Sequence, residues 1–377
     1  MTRAVGPLTA AIGSLAAFGK PGGLLGRELD LARALGPQPT WNRLRPIGPT
    51  MPTGARGRLY ERIWKDAATA IGAEVRELEG GFLEIRRDGA TTRVREQLVP
   101  RDDPVTLALA GDKPLVHGLL VAAGLPVPEH AVLEARDVDV AAEFIAGGAP
   151  CVVKPASGSG RGNGVTGFVT SREDFVRARL RSLRYDAERV LIERQATGLE
   201  FRVLVLEGEP VGVVRRDPPH VVGDGSSAIL PLVEAENRRR VAARGEAGQW
   251  LLDIDLDALF TLRSQGLAPR SVPAPGRRVR VGSGSSQGSE REAHVVPIAD
   301  AAVSGVLGAA CTAAEVLGSS YASVEVITSD PATDLIAAGG VVLEINTTPG
   351  LAQHYVVADR EAVEPVASVV LERLLAR

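Results

Sequence analysis

Apolar and polar residues alternate along this 377-residue chain with two different periods, one typical of helices and one of strands. The first clear helical period runs from Leu59 and ends at Gly72. Three short strand-like runs follow, at 75–78, 82–86 and 91–94. Residues 1–58 are rich in Gly, Pro and Arg and predict no element. We expect a small α/β N-terminal domain over residues 1–105.

The rest of the chain predicts two further units that mix helices with strands. The second unit covers residues 106–192, with helices at 113–124, 138–145 and 173–183 and strands at 151–154, 165–169 and 189–193. The third covers residues 193–377 and opens with a hairpin around Gly208. It continues with a polar, partly helical stretch at 237–263, an apolar helix at 299–317, strands at 323–328 and 341–346, and a closing helix at 360–375. This order predicts an α+β protein.

Composition and charge exclude several classes of function. The chain carries 43 basic and 46 acidic residues, and its net charge of −3 disfavours a general nucleic-acid or anionic-membrane binder. Cys151 and Cys311 lie far apart among apolar neighbours, so we expect free thiols in a reducing cytoplasm. Five scattered histidines offer no zinc spacing. No run is long and apolar enough to span a bilayer, and the segment at 4–19 does not predict a signal peptide. The sequence does not decide whether the protein forms a homo-oligomer.

Only four of the 43 basic residues are lysines, and one of them, Lys154, ends a short apolar strand before a glycine-rich loop. From this lysine onward the sequence reads KPASGSGRGNG. Glycines let backbone N–H groups approach phosphate oxygens closely, and a lysine adds a point charge. The loop is neither a Walker A motif nor a dinucleotide fingerprint, because a strand rather than a helix follows it. A flexible hairpin loop is the structural alternative.

Carboxylates on two neighbouring strands could hold a metal ion. Glu344 and Asn346 are two residues apart in a strand and so face the same side, and Glu325 lies in a strand that can pair with theirs. Three such oxygen ligands suit Mg²⁺, or Mn²⁺, held jointly with substrate phosphates. The alternative is a solvated sheet face. The strand before Glu344 is apolar, however, and an unpaired carboxylate is costly to bury there.

Two further segments offer polar groups at strand ends. The strand at 189–193 runs into a polar segment at 194–200, which could offer backbone groups to a purine edge, with Glu200 accepting from ribose hydroxyls. Arg216 ends another strand before the loop at 217–225 and could grip an anionic substrate or a developing oxyanion. Each segment alone also fits a purely structural turn. No Ser-His-Asp order or nucleophile elbow suggests covalent hydrolysis.

These motifs, taken together and in this order, resemble the ATP-grasp superfamily, in particular the ATP-grasp region shared by cyanophycin synthetases and bifunctional glutathione synthetases. The matching stretches are GDK at 111–113, VVKP with its glycine loop at 152–164, HVVGDG at 220–225, EAENR at 234–238 and EINTTPGL at 344–351. The resemblance implies an ATP-grasp fold, in which two α+β subdomains grip ATP between them, preceded by the small N-terminal domain.

The resemblance also implies a role for each matching residue. The implied phosphate contacts are Lys113, Lys154, Gly158, Ser159, Gly160, Gly162 and Gly164. The implied adenine and ribose contacts are Glu193, Gln195, Ala196 and Glu200. The implied metal ligands are Glu325, which stands where Asp is usual, Glu344 and Asn346. The implied catalytic pair is Arg216 with Lys154, and Arg202 and His220 would face the substrate carboxylate.

The implied activity is that of an ATP-dependent carboxylate–amine ligase. Such an enzyme joins amino acids or a short peptide through an acyl-phosphate and releases ADP and phosphate. A phosphotransferase acting on a small molecule and a non-catalytic ATP-binding module are the alternatives. The segment at 279–289 departs from the relatives' pattern, so the two substrates stay open.

Overall fold

The computed structural model describes residues 54–134, 137–160, 162–183, 185–186, 188–242, 251–285, 288–359 and 361–376. Within these ranges the strands form four sheets of three, two, five and four strands, whose pairs are antiparallel. The α+β mixture expected from the sequence is confirmed. Most of the stretch for which the sequence predicts no element lies outside the described ranges. Within them, no helix is long and apolar enough to cross a membrane.

The N-terminal unit is one helix packed on a three-stranded sheet. Its elements are α1 (Ala55–Ala70), β1 (Glu74–Leu78), β2 (Phe82–Arg87) and β3 (Ala90–Val94). Buried Tyr60, Trp64 and Ile85 belong to the core between them. The helix begins four residues before the predicted start, because its first turn is polar and shows no apolar period.

A five-stranded sheet forms the centre of the molecule. Its strands, in spatial order, are β12 (Ala293–Val296), β9 (Glu209–Arg216), β8 (Leu199–Leu206), β13 (Tyr321–Thr328) and β14 (Val341–Asn346). Helix α8 (Ser304–Leu317) covers one face, and its fully buried Ala310, Ala313 and Ala314 let the helix lie close to the strands. Two further helices, α2 (Pro104–Ala110) and α3 (Lys113–Ala122), pack beside α8.

The opposite face of the central sheet is divided between a core and an open surface. Leu204, Leu206 and Tyr321 belong to the same core as α1, together with α9 (Ala352–Tyr355) and α10 (Val366–Leu375). The N-terminal unit therefore closes one end of this face. Charged residues occupy the other end, which stays uncovered and forms one wall of a cleft.

A four-stranded sheet forms the opposite wall. Its strands, in spatial order, are β4 (His130–Glu134), β7 (Arg189–Arg194), β5 (Cys151–Pro155) and β6 (Thr166–Val169), and α4 (Val138–Ala146) and α5 (Arg172–Ser182) pack on it. A segment inserted after β9 adds the two-stranded pair β10 (His220–Val222) and β11 (Arg278–Arg280), with α6 (Ile229–Ala242) and α7 (Leu256–Ser264). Leu256 and Phe260 of α7 pack into the core of the four-stranded sheet.

Differences from the sequence-based elements have local causes. Helix α2 was not predicted, although Asp103 caps it and Pro104 begins it, because it is only seven residues long. The closing helix begins at Val366 rather than near residue 360, after Pro365. The boundary predicted at residue 192 falls inside β7, and the polar stretch predicted at 237–263 lies partly outside the described residues. The two domain boundaries therefore stay predictions.

Candidate active site

A cleft lies between the four-stranded and five-stranded sheets and contains about 1140 Å³ of space free of protein atoms, including its open mouth. Eleven of the predicted site residues line it: Lys113, Lys154, Ser159, Gly160, Gly162, Glu193, Gln195, Ala196, Glu200, Glu325 and Glu344. The other predicted residues are not among the described residues at its surface: Gly158, Gly164, Arg202, Arg216, His220 and Asn346.

Lys154 is fixed by a buried ion pair. The Lys154 Nζ lies 2.8 Å from the Glu193 Oε1, and the two side chains are only 7% and 1% exposed. His117 of α3 lies on the same carboxylate, with its Nδ1 3.5 Å from Oε1. Burial, together with the nearby charge of Lys154, lowers the pKa of His117 to about 3, so the ring is neutral. Glu193 thus holds the Lys154 ammonium at the cleft wall.

Lys113 is in the first turn of α3, and its side chain extends to the central-sheet side of the cleft. Asp112 caps this helix by accepting from the Leu115 N–H, and its carboxylate also lies 2.7 Å from the Arg189 Nη2. The Lys113 Nζ lies 3.3 Å from the Glu344 Oε1 and donates to the Ser159 carbonyl at 3.3 Å. One ammonium therefore contacts both the central sheet and the glycine loop.

The glycine loop follows β5 and needs glycine for its shape at specific positions. Gly158, Gly162 and Gly164 have φ values of +65°, +72° and +78°, a region that other residues rarely adopt. A Cβ on Gly164 would lie 2.7 Å from the Tyr185 Cδ2 and 2.8 Å from the Pro155 Cγ. The loop is therefore held against β5 by its last glycine, while Gly160 and Gly162 face the cleft.

Two glutamates face each other across the strand pair at the cleft. Glu325 of β13 lies opposite Glu344 of β14, and the register shifts directly after Glu325. This bulge gives β14 one extra residue, Leu343, so that both Leu343 and Glu344 line the cleft. Burial raises the pKa of Glu325 to about 7 against the attraction of Arg202, and the negative charges of Glu344 and Glu200 add to the rise.

The third predicted metal ligand lies two residues beyond Glu344 on the same strand. Asn346 is the last residue of β14 and lies opposite Ser323, beyond the surface of the cleft. The described residues contain no cluster of three His, Cys, Asp or Glu side chains that could hold a metal ion. A cation between Glu325 and Glu344 would therefore need further oxygen ligands besides these two carboxylates.

Two arginines contact residues of the central-sheet wall without lining the cleft themselves. The Arg202 Nη1 lies 2.5 Å from the Glu325 Oε1. The Arg216 Nη2 donates to the Ser285 carbonyl at 2.6 Å, and the Ser285 hydroxyl in turn donates to Glu200. Arg216 is only 9% exposed, so it ties the end of β9 to the divergent loop at 279–289.

The predicted adenine segment lies at the end of β7. The Gln195 N–H already donates to the Pro150 carbonyl at 2.9 Å, and the Gln195 Oε1 accepts from the Phe168 N–H at 2.8 Å. Gln195 is therefore occupied in joining β7 to its neighbours, although it lines the cleft. Ala196 and Glu200 complete this edge of the cleft.

His220 has a structural partner away from the cleft. Its Nδ1 lies 3.0 Å from the Oε1 of buried Glu292. Burial opposes ionisation of Glu292, but hydrogen bonds from His220 and Ser289 outweigh it and lower the pKa of Glu292 to about 2. The predicted substrate contact of His220 gains no support from this position and stays a prediction.

Sequence reasoning missed an acidic contact that joins the inserted segment to the four-stranded sheet. Asp257 accepts from the Gly167 N–H and the Ser283 N–H, each at 2.8 Å. Burial and the neighbouring Asp255 raise the pKa of Asp257. Asp255 is the N-cap of α7 and pairs with Arg181. In sequence the two acids resemble an ordinary helix start, so only the packing of α7 on β6 reveals their position.

Comparison with known proteins gives matches over most of the chain. No family model matches it. Cyanophycin synthetase of Trichormus variabilis is 29% identical over 289 residues, which cover 75% of this chain and 31% of that protein. The glutathione biosynthesis bifunctional protein of Pasteurella multocida is 27% identical over 283 residues, which cover 73% of this chain and 36% of that protein. The chain thus spans about a third of the length of these relatives.

A solved structure shares the fold. The crystal structure of a bifunctional glutathione synthetase from Pasteurella multocida superposes with a TM-score of 0.51 at 22% identity. The match covers 83% of this chain and 43% of that one. The predicted ATP-grasp architecture, with two α+β units facing each other across a cleft, is therefore confirmed.

Proposed function

Because the chain is a member of the ATP-grasp superfamily, we propose that it is an ATP-dependent carboxylate–amine ligase whose reaction takes place in the cleft. The substrates are amino acids or a short peptide, and the products are an amide, ADP and phosphate. The named relatives, a cyanophycin synthetase and a glutathione biosynthesis protein, support this class of chemistry.

The observation that carries the proposal is the meeting of four charged side chains from four separate elements. Lys154 on β5 and Lys113 on α3 supply two ammonium groups, and Glu325 on β13 and Glu344 on β14 supply two carboxylates. All four line one cleft, although up to 231 residues separate them in sequence. Phosphoryl transfer depends on this kind of positioning and charge neutralisation more than on a protein nucleophile.

In this reaction the substrate carboxylate takes the terminal phosphoryl group of ATP, and the amine then displaces phosphate from the acyl-phosphate. Lys113 and Lys154 hold the phosphate oxygens as compact point charges, and Glu193 keeps Lys154 from turning away. The glycine loop places backbone N–H groups over the same phosphates. The loop follows β5 of the four-stranded sheet and lines the cleft, a position that suits a cover that excludes water.

Glu325 and Glu344 fit a divalent cation. Burial is the main cause of the raised pKa of Glu325, and the negative charges of Glu344 and Glu200 add to it; a cation beside these carboxylates would favour the charged form. Mg²⁺ held there jointly with the phosphates would supply charge neutralisation during phosphoryl transfer. Asn346, at the end of the same strand, is the proposed third ligand. Glu344 also pairs with Lys113, so the same residue sets the spacing between the lysine and the cation.

Arg202 serves the acyl side of the reaction, whereas Arg216 supports the ribose side of the cleft. Arg202 lies against Glu325, next to the point where the phosphoryl group is transferred, and its guanidinium can face a carbonyl oxygen that gains negative charge. Arg216 holds Ser285 and, through it, Glu200, which orders the wall for ribose hydroxyls. Ala196 and the Gln195 carbonyl group remain at this edge of the cleft, and in the proposed complex they contact adenine.

ADP release tests the proposal directly. Purified protein, ATP and Mg²⁺ are combined with a panel of amino acids and dipeptides, as single compounds and in pairs. A ligase releases ADP only when both a carboxylate and an amine are present, and mass spectrometry finds their amide. ADP formed with one compound and a stable phosphorylated product would instead identify a phosphotransferase. Nucleotide binding without turnover on any pair would contradict the proposal.

The two cysteines bear on the proposed cellular compartment of the enzyme. Cys151 and Cys311 are free and at least half-buried, and burial raises the pKa of each thiol. Unreactive buried thiols suit a reducing compartment. These thiols support the proposal that the enzyme works in the cytoplasm on small-molecule substrates.

A further inference from the structure

The outer face of the N-terminal sheet carries an unusual group of arginines. Arg76 of β1, Arg86 of β2 and Arg93 of β3 have side chains that are 63%, 53% and 62% exposed. Arg95, just after β3, stacks over the ring of Phe82 at 5.1 Å. None of these residues lines the cleft. We call this surface the arginine face.

Glu84 lies at the centre of the arginine face and is fully covered by it. The register places Glu84 directly between Arg76 and Arg93 across the three strands. The Arg76 Nη2 lies 2.9 Å and the Arg86 Nη2 2.5 Å from its Oε1, and Arg93 makes two hydrogen bonds to its Oε2, at 3.0 and 2.8 Å. Glu84 has no exposed surface, although it is on the solvent side of the sheet. The three guanidinium groups therefore already converge on one carboxylate.

One carboxylate leaves most of the guanidinium donors unused. Three arginines carry fifteen N–H groups, whereas a carboxylate offers about four lone-pair positions. Within the described residues, Glu84 is the only acid that any of the three contacts. Glu74 is the other acid on this face, opposite Arg86. Four arginines against two glutamates leave a local charge of +2 on a chain whose net charge is −3.

We propose that the arginine face is a docking site for an acidic, extended peptide segment of a partner protein. Guanidinium groups bind carboxylates through paired N–H groups, and each arginine here has an outward edge free for a second carboxylate. Exposed Phe82 and Leu98 flank the arginines and offer apolar contacts beside the charges. Contacts of this mixed kind are typical of peptide recognition.

The spacing of the arginines favours a peptide over a nucleic acid. Arg86 is two residues along β2 from Glu84, the position opposite both Arg76 and Arg93, so its Cα is offset from theirs by about 7 Å along the strands, which is also the distance between alternate side chains of an extended peptide. Arg76 and Arg93 are two strands apart, or about 10 Å. Nucleic-acid binding draws on a broad field of cations that neutralises many phosphates, whereas this face is small and interrupted by two glutamates.

Binding of a fluorescent hexa-aspartate peptide to the full chain tests the proposal, with hexa-lysine and a single-stranded hexanucleotide as competing probes. We expect hexa-aspartate to bind, and its affinity to fall as salt rises from 50 to 300 mM. The double variant Arg76→Gln with Arg93→Gln should bind roughly tenfold more weakly, since two exposed charge pairs are lost. Arg172→Gln, which changes an equally exposed arginine on α5, is the matched control and should bind like the wild type.

Glu84→Gln gives a prediction of opposite sign. Removing the internal carboxylate frees the three arginines, so the variant should bind hexa-aspartate several-fold more tightly. Variants that lose the N-terminal unit are recognised by circular dichroism and by their thermal unfolding. Unchanged binding in both the double variant and Glu84→Gln would overturn the proposal. Tighter binding of the hexanucleotide than of hexa-aspartate would also overturn it, and would identify the face as a nucleic-acid surface.

Discussion

Lys154→Ala tests the cleft through stability as well as through activity. The Lys154 Nζ and Glu193 Oε1 are 2.8 Å apart, with exposures of 7% and 1%. Removing the ammonium leaves the Glu193 carboxylate enclosed beside His117, whose burial, the largest cause of its lowered pKa, still opposes a compensating positive charge. Breaking a buried pair by removing one partner costs about 3–5 kcal/mol, because it strands an uncompensated charge. That is a large share of a typical free energy of unfolding of about 5–15 kcal/mol.

A double variant separates the two roles of this lysine. Lys154→Met combined with Glu193→Gln removes both charges at similar volume, so urea unfolding should show most of the lost stability restored. ADP release should stay absent, because the phosphates lose the ammonium of Lys154 and keep only that of Lys113. Lys65→Ala removes an exposed lysine that pairs with Glu61 and Glu77, and is the matched control with little effect on either measurement.

Two outcomes would refute this reasoning. Wild-type stability of Lys154→Ala would mean that Glu193 is not enclosed with its partner. Wild-type ADP release by the double variant would mean that Lys154 does not contact the phosphates. Loss of activity with full stability would leave the phosphate role standing but contradict the buried pair.

Three further predictions concern the loop, the acid dependence and the carboxylate pair. Gly164→Ala combines a φ of +78° with contacts under 3 Å and should destabilise the protein by about 1–3 kcal/mol in thermal unfolding, whereas Gly160→Ala, with open space around it, should not. The pKa of Glu292 is lowered to about 2 from an ordinary 4.5, so its charged form contributes stability that is present above pH 4.5 and lost as the pH falls. Glu292→Gln should therefore flatten the decline in the free energy of unfolding between pH 5 and 3. Glu344→Ala should abolish ADP release, and exposed Glu315→Ala should leave it unchanged; activity in the first variant would contradict the proposed cation site.

Much of the fold could be predicted from the chain alone. The three short strands after α1, the hairpin of β8 and β9 and the final strand pair all lie within a few residues of their predicted positions. Local pattern determines such elements, because side-chain alternation and turn residues act over a few positions. Lys113, Lys154, Glu325 and Glu344 could likewise be found by their place in motifs, and all four line the cleft.

The partners of those residues depended on tertiary structure. The adenine contact of Glu193 stays a prediction. Its pair with Lys154 could not be predicted, because β5 and β7 are neighbours in a sheet whose order is not written in the sequence. The bulge at Leu343 comes before Glu344, so Glu344 and Asn346 keep the common face that strand alternation predicts, whereas the position of Leu343 beside Glu344 at the cleft could not be predicted. A bulge changes the parity of a strand without a distinct sequence signal.

The sequence by itself determined which residue types this protein has for phosphate and cation chemistry, and in which order the elements carrying them occur. Only the packing of the sheets decided which charges meet. Asp257 contacts the four-stranded sheet because α7 folds back onto β6, and Arg76, Arg86 and Arg93 surround Glu84 because three strands pair in one register. Such contacts join residues far apart in the chain, where no local spacing can reveal them.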